Sequence, residues 1–413
     1  MNLAVLSVAA LVVAIVLSCV TQVNVGVVAL AFAWIIGVYL GGMPVKTVMA
    51  GFPVELFLTL AGVTLLFAQA QVNGTLEQMA LRVIRLCRGN AGLLPISFFG
   101  FAALLASSGP GNIATAALLG PAAMAAARRA NISPFLMAIM VGNGANSGSL
   151  SPLAPTGLIV NGLMDRIGLG GHALATWGTN LLAHTVAAFA GFAIFGGIQL
   201  LVRGGKLNPM DEKAPPPLEM RQWVTLGTIG ALVVGVLLFK LNIGMAAFTA
   251  AGFLALAKMS DDHEAVRKMP WHTLLMVAGV TVLIGILEKT QGIELFASLI
   301  ASVSTPATVT AVVAVITGLV SVYSSTSGVV LPAFLPTIPP LAAKLGVTNQ
   351  LAIAYAMNVG GHLVDVSPLS TIGALCLAGV TDSVQSRTLF YQLMAWGLSM
   401  CLVGGLISFV FFR

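Results

Sequence analysis

Long apolar stretches alternate with short polar ones along the whole chain of 413 residues. A helix needs about 20 apolar residues to cross the hydrocarbon core of a bilayer, and these stretches have that length. Continuous spans are predicted within 3–72, at 173–202, within 222–289 and at 389–411. Two further stretches, 134–163 and 350–380, concentrate Gly, Asn, Ser and Pro in their middle and are predicted to be broken spans. Because lipid cannot hydrogen-bond an irregular backbone, each break is expected to face protein or a cavity.

Four other segments are predicted to lie on the membrane surface or to enter it without crossing. Residues 75–88 place apolar and basic side chains at helical spacing, which predicts an amphipathic surface helix with a counterpart at 293–303. Residues 93–127 are apolar but interrupted, with basic residues at both ends, so they are predicted to form a re-entrant hairpin. Residues 306–344 are its expected counterpart. The predicted fold class is an all-α polytopic membrane protein.

The second half of the chain repeats the first. Five short motifs recur in the same order, and Ser151-Pro152-Leu153 returns 216 residues later as Ser367-Pro368-Leu369. This predicts a first repeat at 1–203, a cytoplasmic linker at 204–221 and a second repeat at 222–413. Each repeat is expected to hold five transmembrane helices and one hairpin. Because five is odd, the two repeats are expected to have opposite orientations, as in inverted-repeat transporters.

The number and positions of the charged residues agree with a membrane protein and predict its orientation in the membrane. Only 8% of the residues are charged, against about 25% in soluble domains, and the four cysteines show no paired spacing for disulfides or a metal. The net charge of +6 arises in short loops beside apolar spans, which favours membrane orientation over nucleic-acid binding. Six basic residues fall on the side opposite the linker: Lys46, Arg166, Lys240, Lys289, Lys344 and Arg413. The other 13 of 19 fall on the linker side, so the N-terminus is predicted to be extracytoplasmic in a bacterial-type inner membrane.

The hairpin tips and the broken spans are expected to meet near the membrane centre. Helix N-termini suit carboxylates, and carbonyl and hydroxyl oxygens suit Na⁺. No Arg or Lys lies in these polar middles, so a bound anion would need helix dipoles and co-bound cations, which favours cation symport. Asp365 is the one carboxylate there; with His362 it offers proton coupling as an alternative, or it caps the break. An intramembrane enzyme is not expected, because no Gly-x-Ser-x-Gly or His-Glu-x-x-His motif is present.

Three stretches resemble a known family. Residues 51–77, 109–121 (GPGNIATAALLGP) and 141–157 (VGNGANSGSLSPLAPTG) are similar to the malonate carrier (MatC) branch of the divalent anion:sodium symporters (DASS), within the ion transporter superfamily. The resemblance implies a homodimeric elevator, in which the outer spans form a scaffold while the hairpins and broken spans move as a transport unit. It also implies a small dicarboxylate as substrate, malonate first.

The same resemblance implies the site residues, with Asn112 contacting both sodium and substrate. The implied substrate-binding residues are Asn112, Ile113, Ser149, Ser151, Pro152, Thr326, Ser327, Ser367 and Pro368. The implied sodium ligands are Ser107, Gly111, Asn112 and Leu150 in the first half, and Ser324, Thr326 and Val366 in the second. The second tip reads Ser325-Thr326-Ser327 where the family has Ser-Asn-Thr, so the number of sodium ions stays open. No cofactor is expected besides the co-transported ion.

Overall fold

The computed structural model describes residues 2–21, 23–86, 91–203, 216–380 and 382–412, and within them the chain is helical with no strand. The helices of the first half are α1 Leu3–Val20, α2 Val25–Trp34, α3 Val45–Met49, α4 Val54–Val72, α5 Thr75–Leu86, α6 Leu93–Ser107, α7 Gly111–Arg129, α8 Pro134–Gly148, α9 Pro155–Arg166, α10 Ala173–Ile194 and α11 Gly197–Arg203. Helix α2 continues as a π-helical turn, Ile35–Leu40. The predicted residues Cys87 and Arg88 of the surface helix, and 204–215 of the linker, lie outside the described residues.

The helices of the second half are α12 Met220–Phe239, α13 Ile243–Leu256, α14 Asp262–Lys268, α15 Trp271–Lys289, α16 Gly292–Ser302, α17 Val309–Tyr323, α18 Leu331–Phe334, α19 Ile338–Leu345, α20 Gln350–Leu363, α21 Thr371–Ala378 and α22 Ser383–Phe411. Three tighter or wider turns connect them: the π-helical turn Thr326–Val330 and the 3₁₀ turns Leu335–Thr337 and Val364–Val366.

Five helical segments among the described residues have the length and apolar composition needed to cross a bilayer. They are Val54–Val72, Trp271–Lys289, Thr326–Leu345, Gln350–Ala378 and Ser383–Phe411. Several shorter apolar helices accompany them. The protein is therefore a multi-pass helical membrane protein, as the hydrophobic pattern predicts. The expected five crossings in each half stay a prediction.

Close glycine contacts join the two halves, since α2 packs on α15 and α4 packs on α13. Gly26 on α2 lies against the backbone of Leu275 and of Gly279, so that a Cβ added to either glycine would overlap the facing backbone. On the other pair, Gly244 of α13 meets Thr59, and Gly62 meets the Gly244 carbonyl. Small residues permit such close approach of helices in membranes. The same type of helix crossing thus occurs twice. Helix α2 of the first half packs on α15 of the second, and α13 of the second half packs on α4 of the first.

Each broken segment packs on the first helix of a helical hairpin. We call α6 with α7 the first hairpin and 309–345 the second hairpin. Helix α8 packs on α6, where Gly144 meets the Phe99 carbonyl, and α20 packs on α17, where Gly360 meets the Ala314 carbonyl. In the first hairpin, Gly109 at the turn has φ +136° and lies against the Phe67 ring, a position that only glycine fits.

Two predicted spans differ from the observed helices in their bounds. The span predicted at 173–202 is interrupted between α10 and α11, because Gly196 adopts φ +92° and ends the hydrogen-bond ladder of α10. The span predicted at 389–411 begins earlier, at Ser383, where the Asp382 side chain caps α22 by accepting from the Gln385 amide at 2.8 Å.

Candidate functional site

The first break, residues 149–154 between α8 and α9, contacts the tip of the first hairpin. The Ser151 hydroxyl donates to the Ser107 carbonyl at 2.7 Å. Gly111, at φ +76°, begins α7 and lies so close to Pro155 that a Cβ would meet the proline ring at 2.9 Å. The predicted residues Ser107, Gly111 and Ser151 are therefore brought together by the fold.

Asn112 sits at the centre of this first half-site and is 6% exposed. Its Nδ2 donates to Asn146 Oδ1 at 2.9 Å, while its Oδ1 is only weakly engaged, by the Thr156 hydroxyl at 3.5 Å. The Asn146 carbonyl in turn accepts from Asn180 Nδ2 on α10 at 2.8 Å. Because the protein fixes the orientation of the Asn112 amide, its oxygen is left as the atom that can accept from, or coordinate, a ligand.

The remaining predicted substrate-binding residues of the first half, Ser149, Ile113 and Pro152, offer no free polar side-chain group to a ligand. The Ser149 hydroxyl is fully buried and donates to the Asn146 carbonyl at 2.7 Å within its own turn. Ile113 and Pro152 are half-buried beside the break. Their proposed part in substrate binding is therefore steric.

The second break, residues 364–370 between α20 and α21, contacts the second hairpin through a carboxylate. The Thr326 hydroxyl donates to Asp365 Oδ1 at 2.7 Å, and Asp365 is 9% exposed. Among the described residues, no backbone N–H donates to this carboxylate, so Asp365 connects two elements rather than capping its own break. The Ser370 hydroxyl is bonded to the Asp365 carbonyl and, at 2.7 Å, to the Ser367 carbonyl.

Other second-half candidates surround this bond. Ser324 ends α17, and the Ser325 hydroxyl accepts from the Gly328 amide at 3.1 Å to begin the π-helical turn. Ser327, Ser367 and Pro368 are buried. His362 Nδ1 bonds the Asn358 carbonyl of its own helix at 2.9 Å, and the part of His362 in proton coupling with Asp365 stays a prediction.

Two backbone carbonyls occupy matching places in the two breaks. They belong to Leu150 and Val366, each of which directly precedes a Ser-Pro pair, and both residues are fully buried. Within the described residues, no hydrogen bond ends on either carbonyl oxygen. Gly157 and Gly373 let the next helix approach, because a Cβ on either would overlap the Ser151 or the Ser367 carbonyl. Buried carbonyls without donors are suited to a cation, since an unpaired buried carbonyl is otherwise costly.

A buried polar layer beyond the predicted binding residues adjoins the first break, where Asn180 Nδ2 donates to the Asn146 carbonyl. Asn143 Nδ2 donates to the Ile139 carbonyl at 2.7 Å, so its Oδ1 accepts from His184 Nδ1 at 2.9 Å. His184 is thereby a buried, hydrogen-bonded packing residue. The lone Asn180 of α10 was the signal for this layer, because an isolated amide in an apolar helix needs a partner on its neighbour.

The ion pairs that the structure describes lie outside the two breaks, whose one charged residue is Asp365. The ion pairs described in the structure are Arg221–Glu219 at 2.7 Å, Arg267–Glu264 at 3.8 Å and Lys268–Glu264 at 4.0 Å, all on exposed side chains. In the described part of the chain, no Lys or Arg forms an ion pair with Asp365. The site geometry therefore offers oxygen ligands and one carboxylate, without a fixed basic partner for an anion.

Comparison with known proteins supports the expected resemblance. Residues 1–149 match the family model described as "Dicarboxylate carrier protein MatC N-terminus", which confirms the resemblance over that part of the chain. Among solved structures, the YdaH transporter of Alcanivorax borkumensis is similar, with a TM-score of 0.60 and 15% identity over 88% of this chain and 87% of that one. At this identity the likeness shows a shared fold. No curated protein matches the chain.

Proposed function

We propose that the protein is a secondary active transporter that imports a small dicarboxylate, malonate or a similar C3–C4 acid, by symport with Na⁺. The substrate class is supported by the family match of residues 1–149 and transport by the fold of the matched structure. The observation that carries cation coupling is the pair of buried carbonyls of Leu150 and Val366, which accept no hydrogen bond within the described residues. The stretches around the two breaks, 141–156 and 357–371, contain no Lys or Arg. A dianion placed there needs bound cations to offset its charge.

The proposed architecture is two inverted repeats, 1–203 and 222–413, joined by the linker 204–221. Its support is reciprocal packing: α2 on α15 corresponds to α4 on α13, and α8 on α6 corresponds to α20 on α17. In the proposed elevator, α1–α4 and α12–α15 form the scaffold, and the hairpins with the broken helices carry the substrate. A homodimer in the inner membrane, with an extracytoplasmic N-terminus, completes the proposal.

In this proposal each half-site holds one sodium ion beside the substrate. The first ion is bound by the Ser107 and Gly111 region, Asn112 Oδ1 and the Leu150 carbonyl. The second is bound by Ser324, Thr326 and the Val366 carbonyl. The substrate carboxylates lie between the two Ser-Pro turns, near Ser151 and Ser367, where the short helices α9 and α21 begin. The partial positive charge of helix N-termini then adds to that of the ions.

Uptake of radiolabelled malonate into proteoliposomes tests the proposal. With an inward sodium gradient we expect an initial rate at least about tenfold above that with potassium inside and outside, because uptake needs the ion to neutralise the dianion. Equal rates with and without the gradient would contradict sodium symport, and absence of malonate uptake under all gradients would contradict the substrate class.

A second candidate is proton-coupled symport of the same anions through Asp365. It is favoured by the buried position of this carboxylate and by its lack of a basic partner among the described residues. Asp365→Asn keeps the acceptor oxygen for Thr326 but cannot exchange a proton. If protons are the coupling ion, this variant should lose the pH dependence of uptake that the wild type shows. An unchanged pH profile in the variant, with His362 and His184 intact, excludes the candidate.

A further inference from the structure

A cavity of about 630 Å³ lies apart from the predicted binding residues, between scaffold and transport helices. The scaffold contributes Lys46 of α3 together with Glu288 and Lys289 of α15. The transport side contributes Arg166 at the end of α9, and Pro332 and Pro336 of the second hairpin. The cavity therefore borders both elements that carry the half-sites, since α9 follows the first break and the second hairpin contains Thr326.

The charge of this cavity is unbalanced. Lys46, Arg166 and Lys289 are all exposed, and within the described part of the chain none of them lies within ion-pair distance of a carboxylate. Glu288 is the one acidic residue of the lining. All three cations belong to the six basic residues that the sequence assigns to the extracytoplasmic side, although they come from helices far apart in the chain.

Helix ends alone account for part of this arrangement. Arg166 and Lys289 lie in the last turns of α9 and α15, where a cation interacts favourably with the free carbonyls. Lys344 has the same position at the end of α19 but does not line the cavity. Lys344 is therefore a control residue within the same chain. A substitution of Lys344 shows the effect of losing a basic residue at a helix end without changing the cavity.

We propose that this cavity is an entry site that binds the dicarboxylate dianion before it reaches the membrane centre. This inference rests on the proposed function, because the ligand of the entry site is the same dicarboxylate that is transported. An excess of one sign of charge in a cleft raises the local concentration of oppositely charged ligands, and the volume suits a small molecule. Fixed cations at the entrance attract the dianion. Because no fixed cation lies at the membrane centre, the dianion can leave the central site again.

The test uses Lys46→Gln, Arg166→Gln and Lys289→Gln in right-side-out membrane vesicles, with initial rates of sodium-driven malonate uptake. Removing one charge about 4 Å from a dianion carboxylate in a wet cavity changes its affinity by about threefold to fivefold. We expect each variant to raise KM by that factor, to keep kcat within about twofold, and to weaken the dependence of KM on ionic strength. Lys344→Gln and Lys240→Gln are the matched controls and should leave KM unchanged.

The outcomes separate this proposal from the proposed function. If wild-type vesicles take up malonate and all three cavity variants keep the wild-type KM, the entry site is wrong and the transport function stands. An equal rise of KM in Lys344→Gln also overturns it, because the effect would then be general surface charge. If wild-type vesicles take up no dicarboxylate, both proposals fail. Purified variants are compared by gel filtration and thermal unfolding. A variant that misfolds is then identified by its lower unfolding temperature or altered elution, and its lower kcat is not counted as an effect on the entry site.

Discussion

The two half-sites share a backbone and differ in side chains. In each break the buried carbonyl that precedes the Ser-Pro pair accepts no hydrogen bond within the described residues, and each break is followed by a glycine that lets the next helix approach. The first break is surrounded by neutral amides, Asn112, Asn146 and Asn180, whereas the second contains the Asp365 carboxylate bonded to Thr326. At the position 216 residues after Asn146 the chain has His362.

This difference shows which features of the half-site are the same in both repeats and which are not. The main chain supplies the features common to both halves, the free carbonyls and the short helices, and these suit any hard cation. The side chains then make the halves unequal, because only the second break contains a carboxyl group, Asp365. A cation bound there would have an ionisable group as its neighbour rather than dipoles alone, and we expect the two ions to differ in affinity.

The largest expected effect comes from Asn112→Asp. The variant replaces the Nδ2 donor that faces Asn146 Oδ1 at 2.9 Å with an acceptor, and it adds a buried charge beside the proposed anion. Two facing acceptors and an unpaired charge cost about 3 kcal/mol, which corresponds to a loss of about 100-fold in uptake rate. Malonate uptake into proteoliposomes containing equal amounts of folded protein measures it.

Asn242→Asp is the matched control for Asn112→Asp. Asn242 caps α13 by accepting from the Met245 amide at 3.0 Å, and Asp serves equally well at that position. This control should transport at the wild-type rate. Wild-type transport by Asn112→Asp itself would remove the first half-site from the proposal.

Thr326→Val tests the second half-site and has the next largest expected effect. It removes a hydroxyl that donates to Asp365 at 2.7 Å and that we propose as an oxygen ligand of the second sodium ion. Because a polar contact with a charge contributes about 2 kcal/mol, loss of this ligand should raise the sodium concentration for half-maximal uptake about 30-fold. Sodium titration of uptake measures this, and Thr249→Val, an exposed threonine bonded within its own helix, is the control. A change in the malonate KM without a change in sodium dependence would contradict the assignment.

Gly157→Ala and Gly373→Ala test whether the two breaks share one backbone geometry. In both, a Cβ would overlap a carbonyl of the preceding turn, so each variant should lower the free energy of unfolding by about 1–3 kcal/mol. Thermal unfolding in detergent measures the loss. Gly178→Ala and Gly230→Ala lie in helices with open space around them and should be neutral or stabilising. A loss in only one of the two break variants would show that the breaks differ in their main chain as well.

The sequence predicted the features that are encoded locally. The broken helices end close to their Gly-Ser and Ser-Pro residues, because these residues interrupt a helix wherever they occur in the chain. The recurrence of Ser151-Pro152 as Ser367-Pro368 likewise indicated matching breaks before any contact was known. Spans could be predicted for the same reason, since length and hydropathy are properties of a single segment.

Contacts between distant segments could not be predicted. Asn146 is 34 residues from Asn112, and its role depends on how α8 packs against the first hairpin. The bond between His362 Nδ1 and the Asn358 carbonyl likewise depends on how α20 ends, in a 3₁₀ turn after Leu363. The charge pattern assigned Lys46, Arg166 and Lys289 to one side of the membrane, yet only the fold brings them to one cavity.

Thr156→Val has the smallest expected effect and completes the comparison with Thr326. The Thr156 hydroxyl faces Asn112 Oδ1 at 3.5 Å, at the limit of a hydrogen bond, and its partner is neutral. Its removal should cost less than about 0.5 kcal/mol, so malonate KM and sodium dependence should each change by less than about twofold. The measurement is the same pair of titrations as for Thr326→Val. A sodium dependence shifted as strongly as in Thr326→Val would mean that Thr156 coordinates the first ion directly. The amide-lined half-site would then depend on a hydroxyl as much as the carboxylate half-site does.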